Sequence, residues 1–569
     1  MSERFNATEY LLDRRLEAGD GERLAVVHQG SRLSYRDLAG LTSTVAGGLL
    51  ALGLRREERV MLAMLDGPEL LAGILAAMRI GAVAVPVSTM LTGVELGSVL
   101  ADSGARLLAV SPELSAQAWA AAAMAPELAY LVGAVAAPEA GAGAGSPPED
   151  GRVRTLSWED LMAAGGGARS GGGPGDLLAP AATGEDSPAL WLYTSGTTGT
   201  AKGAMHRHAN LRHVCETYAA QVLGIERDDL CYSVAKLFFA YGLGNSALFP
   251  LSVGAATVLD PARPTPAGVA EALVRERPTL FFGVPTFYAA LLAAQLPPET
   301  FAPVRRCASA GEALPAQLYD RFAERFGVEI LDGLGSTEML HIFLSNRPGR
   351  VRPGTTGVPV PGYDLELRAP DGQAVATGAP GTLYVRGQSM ATGYWCRTEA
   401  TRAVFQGEWL CTGDTYVASD DGYYTCLGRT DDLLKAGGIW VSPAEVEARL
   451  AAHPSVAEVA VVGLPDADGL GKPVACVVAA PGAEVDPDEL VAWCRAGLAA
   501  FKRPRSVVVV AELPKTATGK VRRFKIREML AAPAGQSAPV AAGPRPGPRS
   551  GGSGEARERA ADVGATSAI

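Results

Sequence analysis

The sequence predicts an α/β protein with a large N-terminal domain of parallel sheets and a small C-terminal α+β domain. The chain has 569 residues, which is more than one hydrophobic core usually supports. Short apolar runs alternate with amphipathic segments along most of it, a pattern typical of parallel sheets with crossover helices. From residue 456 to residue 513 the pattern becomes strand, strand, helix, strand. We therefore expect domains at residues 1–430 and 431–530, followed by a flexible tail at 531–569.

The composition indicates a folded protein without a nucleic-acid or membrane partner. Apolar residues make up 48% and charged residues 20% of the chain, and the net charge is −10. An anionic ligand would need locally placed cations, because the overall charge repels it. The N-terminus lacks an apolar signal sequence, and the apolar stretch at 70–87 is interrupted by Arg79. We expect a cytoplasmic protein whose glycine-rich segments, 134–180 and 533–569, are flexible.

Three apolar runs each end in a glycine-rich or acidic turn. The runs cover residues 188–193, 304–308 and 328–331. In open α/β sheets, ligands bind beyond the carboxyl ends of the strands. We therefore expect the three turns to meet at one crevice.

The first of these turns is the string YTSGTTGTAKG at residues 193–203. Glycines let the backbone approach phosphate oxygens, hydroxyl groups donate hydrogen bonds, and a lysine adds positive charge. The spacing does not match a Walker A loop, which disfavours a P-loop ATPase. The candidate phosphate-binding residues are Thr194, Ser195, Gly196, Thr197, Thr198, Gly199 and Lys202.

Further motifs follow in the order of a known superfamily. They are SAGEALP at 309–315, GLGSTE at 333–338, TGD at 412–414, GRTDD at 428–432 and PKTATGK at 514–520. With these motifs the chain resembles acyl-CoA synthetases, peptide-synthetase adenylation domains and firefly luciferase, over roughly residues 25–530. The resemblance implies that ATP and Mg²⁺ are used to convert a carboxylic acid into an acyl-AMP, and that a thiol such as coenzyme A then takes the acyl group.

The resemblance also implies roles for the nucleotide motifs. Thr337 would contact the adenylate phosphate and Glu338 would bind Mg²⁺, a cation that prefers carboxylate and phosphate oxygens. Asp414 and Arg429 would hold the ribose hydroxyls. The other implied nucleotide-binding residues are Gly311, Glu312, Ala313, Asp332, Gly333 and Ser336.

The small domain is implied to be a mobile lid. Lys520 would bridge the acid carboxylate and the α-phosphate, where it stabilises negative charge in the transition state. After adenylation the lid would turn about Asp431. The segment with Lys435, Gly437 and Gly438 would then line the channel for the thiol.

Two segments resemble benzoate-CoA ligases, namely KLFFAYGLGN at 236–245 and GSTEMLHIFLSNRPG at 335–349. The acid would therefore be a small aromatic carboxylic acid. The implied pocket residues are Ala240, Tyr241, Ala310, Gly335, His341 and Ile342.

Several alternatives stay open at this point. Benzoate cannot be separated from hydroxy- or aminobenzoates, because one ring substituent changes discrimination by only about 1–3 kcal/mol. The acceptor is coenzyme A or a separate acyl carrier protein, and the oligomeric state, monomer or homodimer, is not predicted. A catalytically silent nucleotide-binding protein is disfavoured by Lys520, Glu338 and Thr337, and nothing selects luciferase-like oxidation.

Overall fold

The computed structural model describes residues 4–135, 151–166, 177–195, 201–429, 434–436, 439–441, 443–465, 471–498, 502–515 and 521–531. The strands up to residue 429 are, in chain order, β1 (Leu24–His28), β2 (Ser31–Ser34), β3 (Arg59–Ala63), β4 (Val83–Pro86), β5 (Leu107–Val110), β6 (Tyr130–Val132), β7 (Arg154–Leu156), β8 (Pro188–Ser195), β9 (Ala201–Arg207), β10 (Leu230–Ser233), β11 (Ala256–Val258), β12 (Leu280–Gly283), β13 (Arg306–Ser309), β14 (Ile330–Gly335), β15 (Ile342–Ser345), β16 (Val358–Pro359), β17 (Tyr363–Arg368), β18 (Pro380–Gly387), β19 (Phe405–Gln406), β20 (Trp409–Ala418) and β21 (Tyr424–Arg429).

The α-helices of this part are α1 (Arg14–Glu17), α2 (Tyr35–Ala51), α3 (Pro68–Arg79), α4 (Gly93–Ser103), α5 (Ser115–Ala122), α6 (Trp158–Gly166), α7 (His208–Val214), α8 (Ala240–Leu243), α9 (Phe249–Val253), α10 (Pro266–Glu276), α11 (Pro285–Ala293), α12 (Ala316–Phe326) and α13 (Thr398–Val404). Shorter turns of 3₁₀ or π-helix connect some of them, and the one that matters for the site is Thr337–Met339.

Two large sheets form the frame of the N-terminal part. The first has nine strands in the order β16-β15-β14-β13-β12-β10-β11-β1-β2, and the second has seven in the order β7-β6-β5-β3-β4-β8-β9. Their inner strands pair in parallel, while outer strands such as β2, β9 and β15 are antiparallel. Both sheets contribute to one apolar core, for example through Leu190 and Phe282. A third sheet contains β17 to β21.

The C-terminal part is a small α+β unit with its own apolar core. It contains β22 (Leu434–Ala436), β23 (Ile439–Val441), α14 (Pro443–Ala451), β24 (Val456–Pro465), β25 (Gly471–Ala479), α15 (Pro487–Gly497), β26 (Ser506–Val509) and α16 (Arg523–Ala531). The order β24-β25-β26 agrees with the strand, strand, helix, strand pattern. The predicted fold class is confirmed, and α14 and α16 are additions to it.

Asp486 caps α15 by accepting a hydrogen bond from the backbone N–H of Asp488 at 2.9 Å. One prediction differs from the structure. The prediction of a flexible segment at 134–180 was wrong for residues 151–166, where β7 extends the seven-stranded sheet and α6 begins. The physical reason is the apolar set on α6, including the buried Leu161, which packs against α2 and offsets the ordering entropy.

None of the helices in the described ranges combines the length and the apolar composition that a membrane crossing requires.

Candidate active site

The base of the phosphate string is the antiparallel hairpin of β8 and β9. Thr194 and Lys202 are cross-strand partners near the end of the hairpin where residues 196–200 connect the two strands. Just before them, the Tyr193 hydroxyl donates to a carboxylate oxygen of Asp102 at 2.8 Å. Desolvation and the nearby Asp102 raise the pKa of Tyr193 well above its ordinary value, so the hydroxyl keeps its proton. This hydrogen bond therefore fixes β8 to Asp102 just before the phosphate string.

The second motif is a short turn that follows β14. Ser336 caps the 3₁₀ turn Thr337–Met339 by accepting from the Met339 N–H at 3.2 Å. The imidazole Nε2 of His206, on β9, lies 2.8 Å from the carbonyl oxygen of Thr337. The structure therefore brings β9, the strand that follows the first motif, into contact with the second motif.

Glu338 has the surroundings that a cation ligand needs. Its Oε1 accepts a hydrogen bond from the Tyr394 hydroxyl at 2.7 Å. Within the described part of the chain no lysine or arginine pairs with this carboxylate, and no cluster of three ligating side chains is present. A single carboxylate fits Mg²⁺, which is usually bound through one or two carboxylates together with substrate phosphates.

Two further predicted residues lie around the end of β14. Asp332 is buried, and desolvation raises its pKa well above the ordinary value despite the backbone N–H groups of Leu314 and Gly333 nearby. Gly311, just after β13, has φ of 98°, a left-handed conformation that favours glycine. Gly311, Glu312 and Ala313 form an exposed turn.

The predicted ribose pair is brought together by the third sheet. Asp414 on β20 and Arg429 on β21 are register partners. The guanidinium of Arg429 lies 3.0 Å from an Asp414 carboxylate oxygen and 2.9 Å from the carbonyl oxygen of Thr412. The two predicted ribose-binding side chains are therefore in direct contact with each other.

The predicted aryl pocket lies beside the start of α8. The Tyr241 hydroxyl donates to the carbonyl oxygen of Ala308 at 3.1 Å, two residues before Ala310. His341 Nε2 lies 3.3 Å from the Tyr241 carbonyl oxygen, and the two rings are 5.5 Å apart. Ile342 pairs with Gly335 across β14 and β15. Ala240 is the first residue of α8 and directly precedes Tyr241 in the chain.

Sequence reasoning missed two aromatic residues that pack around His341. Ring centroids of Tyr218 and Phe249 lie 5.3 Å and 4.5 Å from that of His341. A Cβ atom on Gly244 would lie 2.6 Å from His341 Nε2, so only glycine fits there. Gly244 lies within KLFFAYGLGN, and that segment was the available signal. Tyr218 and Phe249 carried no motif.

Several predicted residues cannot be placed. Gly196, Thr197, Thr198, Gly199, Asp431, Gly437, Gly438 and Lys520 lie outside the described residues, as do the side chains of Ser195 and Lys435. Their roles stay predictions.

The sequence profile of AMP-binding enzymes matches residues 13–395, and the profile of their C-terminal domain matches residues 445–520.

The chain belongs to the AMP-binding enzyme family. This AMP-binding enzyme is 44% identical to a benzoate–CoA ligase of Thauera aromatica, over 92% of the chain and 96% of the relative. It is 41% identical to a 4-hydroxybenzoate–CoA/benzoate–CoA ligase of Rhodopseudomonas palustris, over 92% of the chain and 94% of that relative.

Solved structures agree with this membership. A benzoate CoA ligase from Burkholderia xenovorans LB400 superposes on the AMP-binding enzyme with a TM-score of 0.81 at 42% identity, covering 92% of this chain and 100% of that one. An anthranilate CoA ligase in complex with anthranoyl-AMP gives a TM-score of 0.83 at 36% identity, covering 93% and 98%.

Proposed function

We propose that this enzyme is an ATP-dependent aryl-CoA ligase that converts benzoate into benzoyl-CoA through benzoyl-AMP, with release of pyrophosphate and AMP. The observation that supports the proposal is the cluster of aromatic rings of Tyr241, His341 and Phe249 close to the turn that contains Thr337 and Glu338. The names of the relatives given above specify benzoate, hydroxybenzoate or anthranilate as the acid.

The pocket supports a short, flat acid. Burial lowers the pKa of His341 to about 3, so the imidazole is neutral and cannot form an ion pair with a carboxylate. The acid would therefore place its ring against His341 and its carboxylate toward Thr337. Phe249 and Tyr218 close the space behind the imidazole. A long acyl chain would have to displace these packed rings, which is costly in a close-packed interior.

In the first step, the hairpin of β8 and β9 would carry the loop that binds the ATP phosphates, with Lys202 at its base. Glu338 would hold Mg²⁺, which offsets the charge of the leaving pyrophosphate. Lys520 would bridge the carboxylate and the α-phosphate, so that the attack on phosphorus proceeds between positioned groups. The carboxylate oxygen attacks the α-phosphorus, and the bond to pyrophosphate breaks.

In the second step, a thiol would attack the acyl carbon, and AMP would leave. We propose that the C-terminal domain turns about Asp431 between the two steps. Residues 435–438 then replace Lys520 beside the adenylate. Gly437 and Gly438 would let a narrow pantetheine arm pass close to the backbone.

The proposal is tested with a panel of acids and acceptors. Pyrophosphate exchange is measured with benzoate, hydroxybenzoates, aminobenzoates and octanoate, and thioester formation is then measured with CoA and with a phosphopantetheinylated carrier protein. We expect kcat/KM to be highest for benzoate, with about 10- to 200-fold discrimination against ring-substituted acids. Equal use of octanoate would contradict the pocket assignment, and exclusive transfer to the carrier protein would contradict CoA as the acceptor.

A further inference from the structure

Residues 389–397, here called the strap, cross between the phosphate hairpin and the turn at 337–339. On one side the strap pairs with β9. Met205 donates its N–H to the Gly393 carbonyl at 3.0 Å, and its own carbonyl accepts from the Thr392 N–H at 2.8 Å. The strap therefore pairs along the outer side of β9, in the hairpin whose two strands flank the phosphate string.

On its other side the strap holds two consecutive carbonyl groups of the turn. The Ala391 N–H donates to the Glu338 carbonyl at 2.8 Å, and the Ser389 hydroxyl donates to the Met339 carbonyl at 2.8 Å. The Tyr394 hydroxyl then reaches the side chain of Glu338 at 2.7 Å. Both the backbone and the carboxylate of Glu338 are thus held by the same segment.

The far end of the strap is anchored at Asp102, at the end of α4. The Arg397 guanidinium lies 2.5 Å from one Asp102 carboxylate oxygen, and the Trp395 indole N–H donates to the Asp102 carbonyl at 2.9 Å. The other carboxylate oxygen accepts from Tyr193. The strap is therefore supported at both ends, and Tyr394 is presented from a rigid segment.

The Tyr394 ring has little freedom of its own. It packs edge-on against Phe405 with ring centroids 5.3 Å apart, and the Lys202 ammonium lies 5.5 Å from its centroid. A carboxylate oxygen only accepts hydrogen bonds, so the Tyr394 hydroxyl is the donor in its contact with Glu338.

We propose that Tyr394 is a positioning residue, which binds one oxygen of the Glu338 carboxylate and so directs the other to the divalent cation that accompanies ATP. A glutamate side chain on a short turn has several rotatable bonds, and a charge-assisted hydrogen bond from a rigid donor selects one arrangement before the cation arrives. The inference deepens the proposed function, since it rests on Glu338 as the cation ligand.

The experiment compares Tyr394→Phe with the matched control Tyr363→Phe. Tyr363 lies on β17, and its hydroxyl is 2.8 Å from the hydroxyl of Ser389. The control therefore removes one buried hydroxyl that contacts the same strap without touching the Glu338 carboxylate. Glu338→Gln serves as the reference for loss of the ligand itself. The dissociation constant of α,β-methylene-ATP is measured by calorimetry with Mg²⁺ and with EDTA, and thermal unfolding shows that each variant is folded.

The quantity of interest is the gain in nucleotide affinity that Mg²⁺ produces. We expect Tyr394→Phe to lower this gain by about 10- to 100-fold, as is typical when the partner of a metal ligand is removed. We expect Tyr363→Phe to keep the wild-type gain. An unchanged gain in Tyr394→Phe, an equal loss in Tyr363→Phe, or an unchanged gain in Glu338→Gln would each overturn the proposal.

This measurement uses no acid and no thiol. A failure of benzoate activation would therefore count against the proposed function, while the nucleotide-binding measurement would still test the role of Tyr394. Conversely, an unchanged Mg²⁺ gain in an enzyme that makes benzoyl-CoA would remove only the positioning role.

Discussion

Asp66 accepts the backbone N–H of Leu237 with both carboxylate oxygens, at 3.1 and 3.2 Å, and so joins the end of β3 to the segment that begins the aryl pocket. Leu237 precedes Ala240 and Tyr241 by a few residues, and the Leu243 N–H donates to the Phe239 carbonyl at 2.8 Å in the same segment. Asp66 therefore helps to set where the pocket helix α8 starts.

The burial of Asp66 predicts that the stability of the folded protein depends on pH. Desolvation raises the pKa of Asp66 to about 7, although Lys236 and the Leu237 N–H lower it, and Asp260 adds a smaller increase. The folded state then binds more protons than the unfolded state between pH 4 and pH 7, so this group's contribution to stability is present at low pH and is lost as the pH rises toward 7.

The comparison with Asp66→Asn isolates that contribution. We expect the stability of the wild type relative to the variant to fall between pH 4 and pH 7 and to level off above that range. The urea unfolding midpoints of the two proteins, measured across this pH range, would show it. The variant should also raise KM for benzoate more than KM for ATP. A difference between the two proteins that does not change with pH would contradict the assignment to Asp66.

Gly244→Ala should damage the pocket. The new methyl group would lie 2.6 Å from His341 Nε2 and 3.0 Å from the Phe249 ring, so one of these packed rings must move. Overpacking of this kind costs about 1–3 kcal/mol. We expect a lower melting temperature and a raised KM for benzoate.

The matched control is Gly40→Ala on α2, where a Cβ atom would meet nothing within 4 Å. Alanine is preferred over glycine inside a helix by about 0.5–1 kcal/mol. The control should therefore be slightly more stable than the wild type, with unchanged kinetics. Equal effects of the two substitutions would show that the packing around His341 is unimportant.

His206 predicts a loss of stability in acid. Desolvation lowers its pKa to about 4, while its hydrogen bond with Thr337 raises it by less. Below about pH 6.5 the unfolded state takes up a proton that the folded state does not, so stability is lost as the pH falls from 6.5 toward 4, by up to about 3 kcal/mol. His206→Gln removes the titrating group and keeps an amide that can donate to the Thr337 carbonyl.

We expect the unfolding midpoint of His206→Gln to decline less steeply with acid than that of the wild type. The slope will not vanish, because burial also lowers the pKa of His208 and His213 to about 4. Identical slopes in the two proteins would show that His206 does not titrate as described.

Lys520→Ala should separate the two half-reactions. If Lys520 stabilises charge only during adenylation, benzoate-dependent pyrophosphate exchange falls by about 100-fold or more, while thioester formation from preformed benzoyl-AMP largely survives. Lys515→Ala is the control in the same motif, because Lys515 pairs with Glu458 at 2.7 Å on the surface of the C-terminal domain. A similar loss in both half-reactions of Lys520→Ala would refute the division of labour.

The sequence alone determined the fold class, the nucleotide motifs and the aryl-acid family. These follow from short strings, because phosphate binding, cation binding and a tight turn each demand particular residue types within a few positions. The structure adds local contacts among these residues, since a hairpin places Thr194 opposite Lys202 and Asp414 forms an ion pair with Arg429.

Only the tertiary structure decided what supports those motifs. The contacts of Tyr394 with Glu338, His206 with Thr337 and Asp66 with Leu237 join residues 56, 131 and 171 positions apart. Such contacts depend on how two sheets and a strap pack around a shared core, and neither local propensity nor periodicity specifies them.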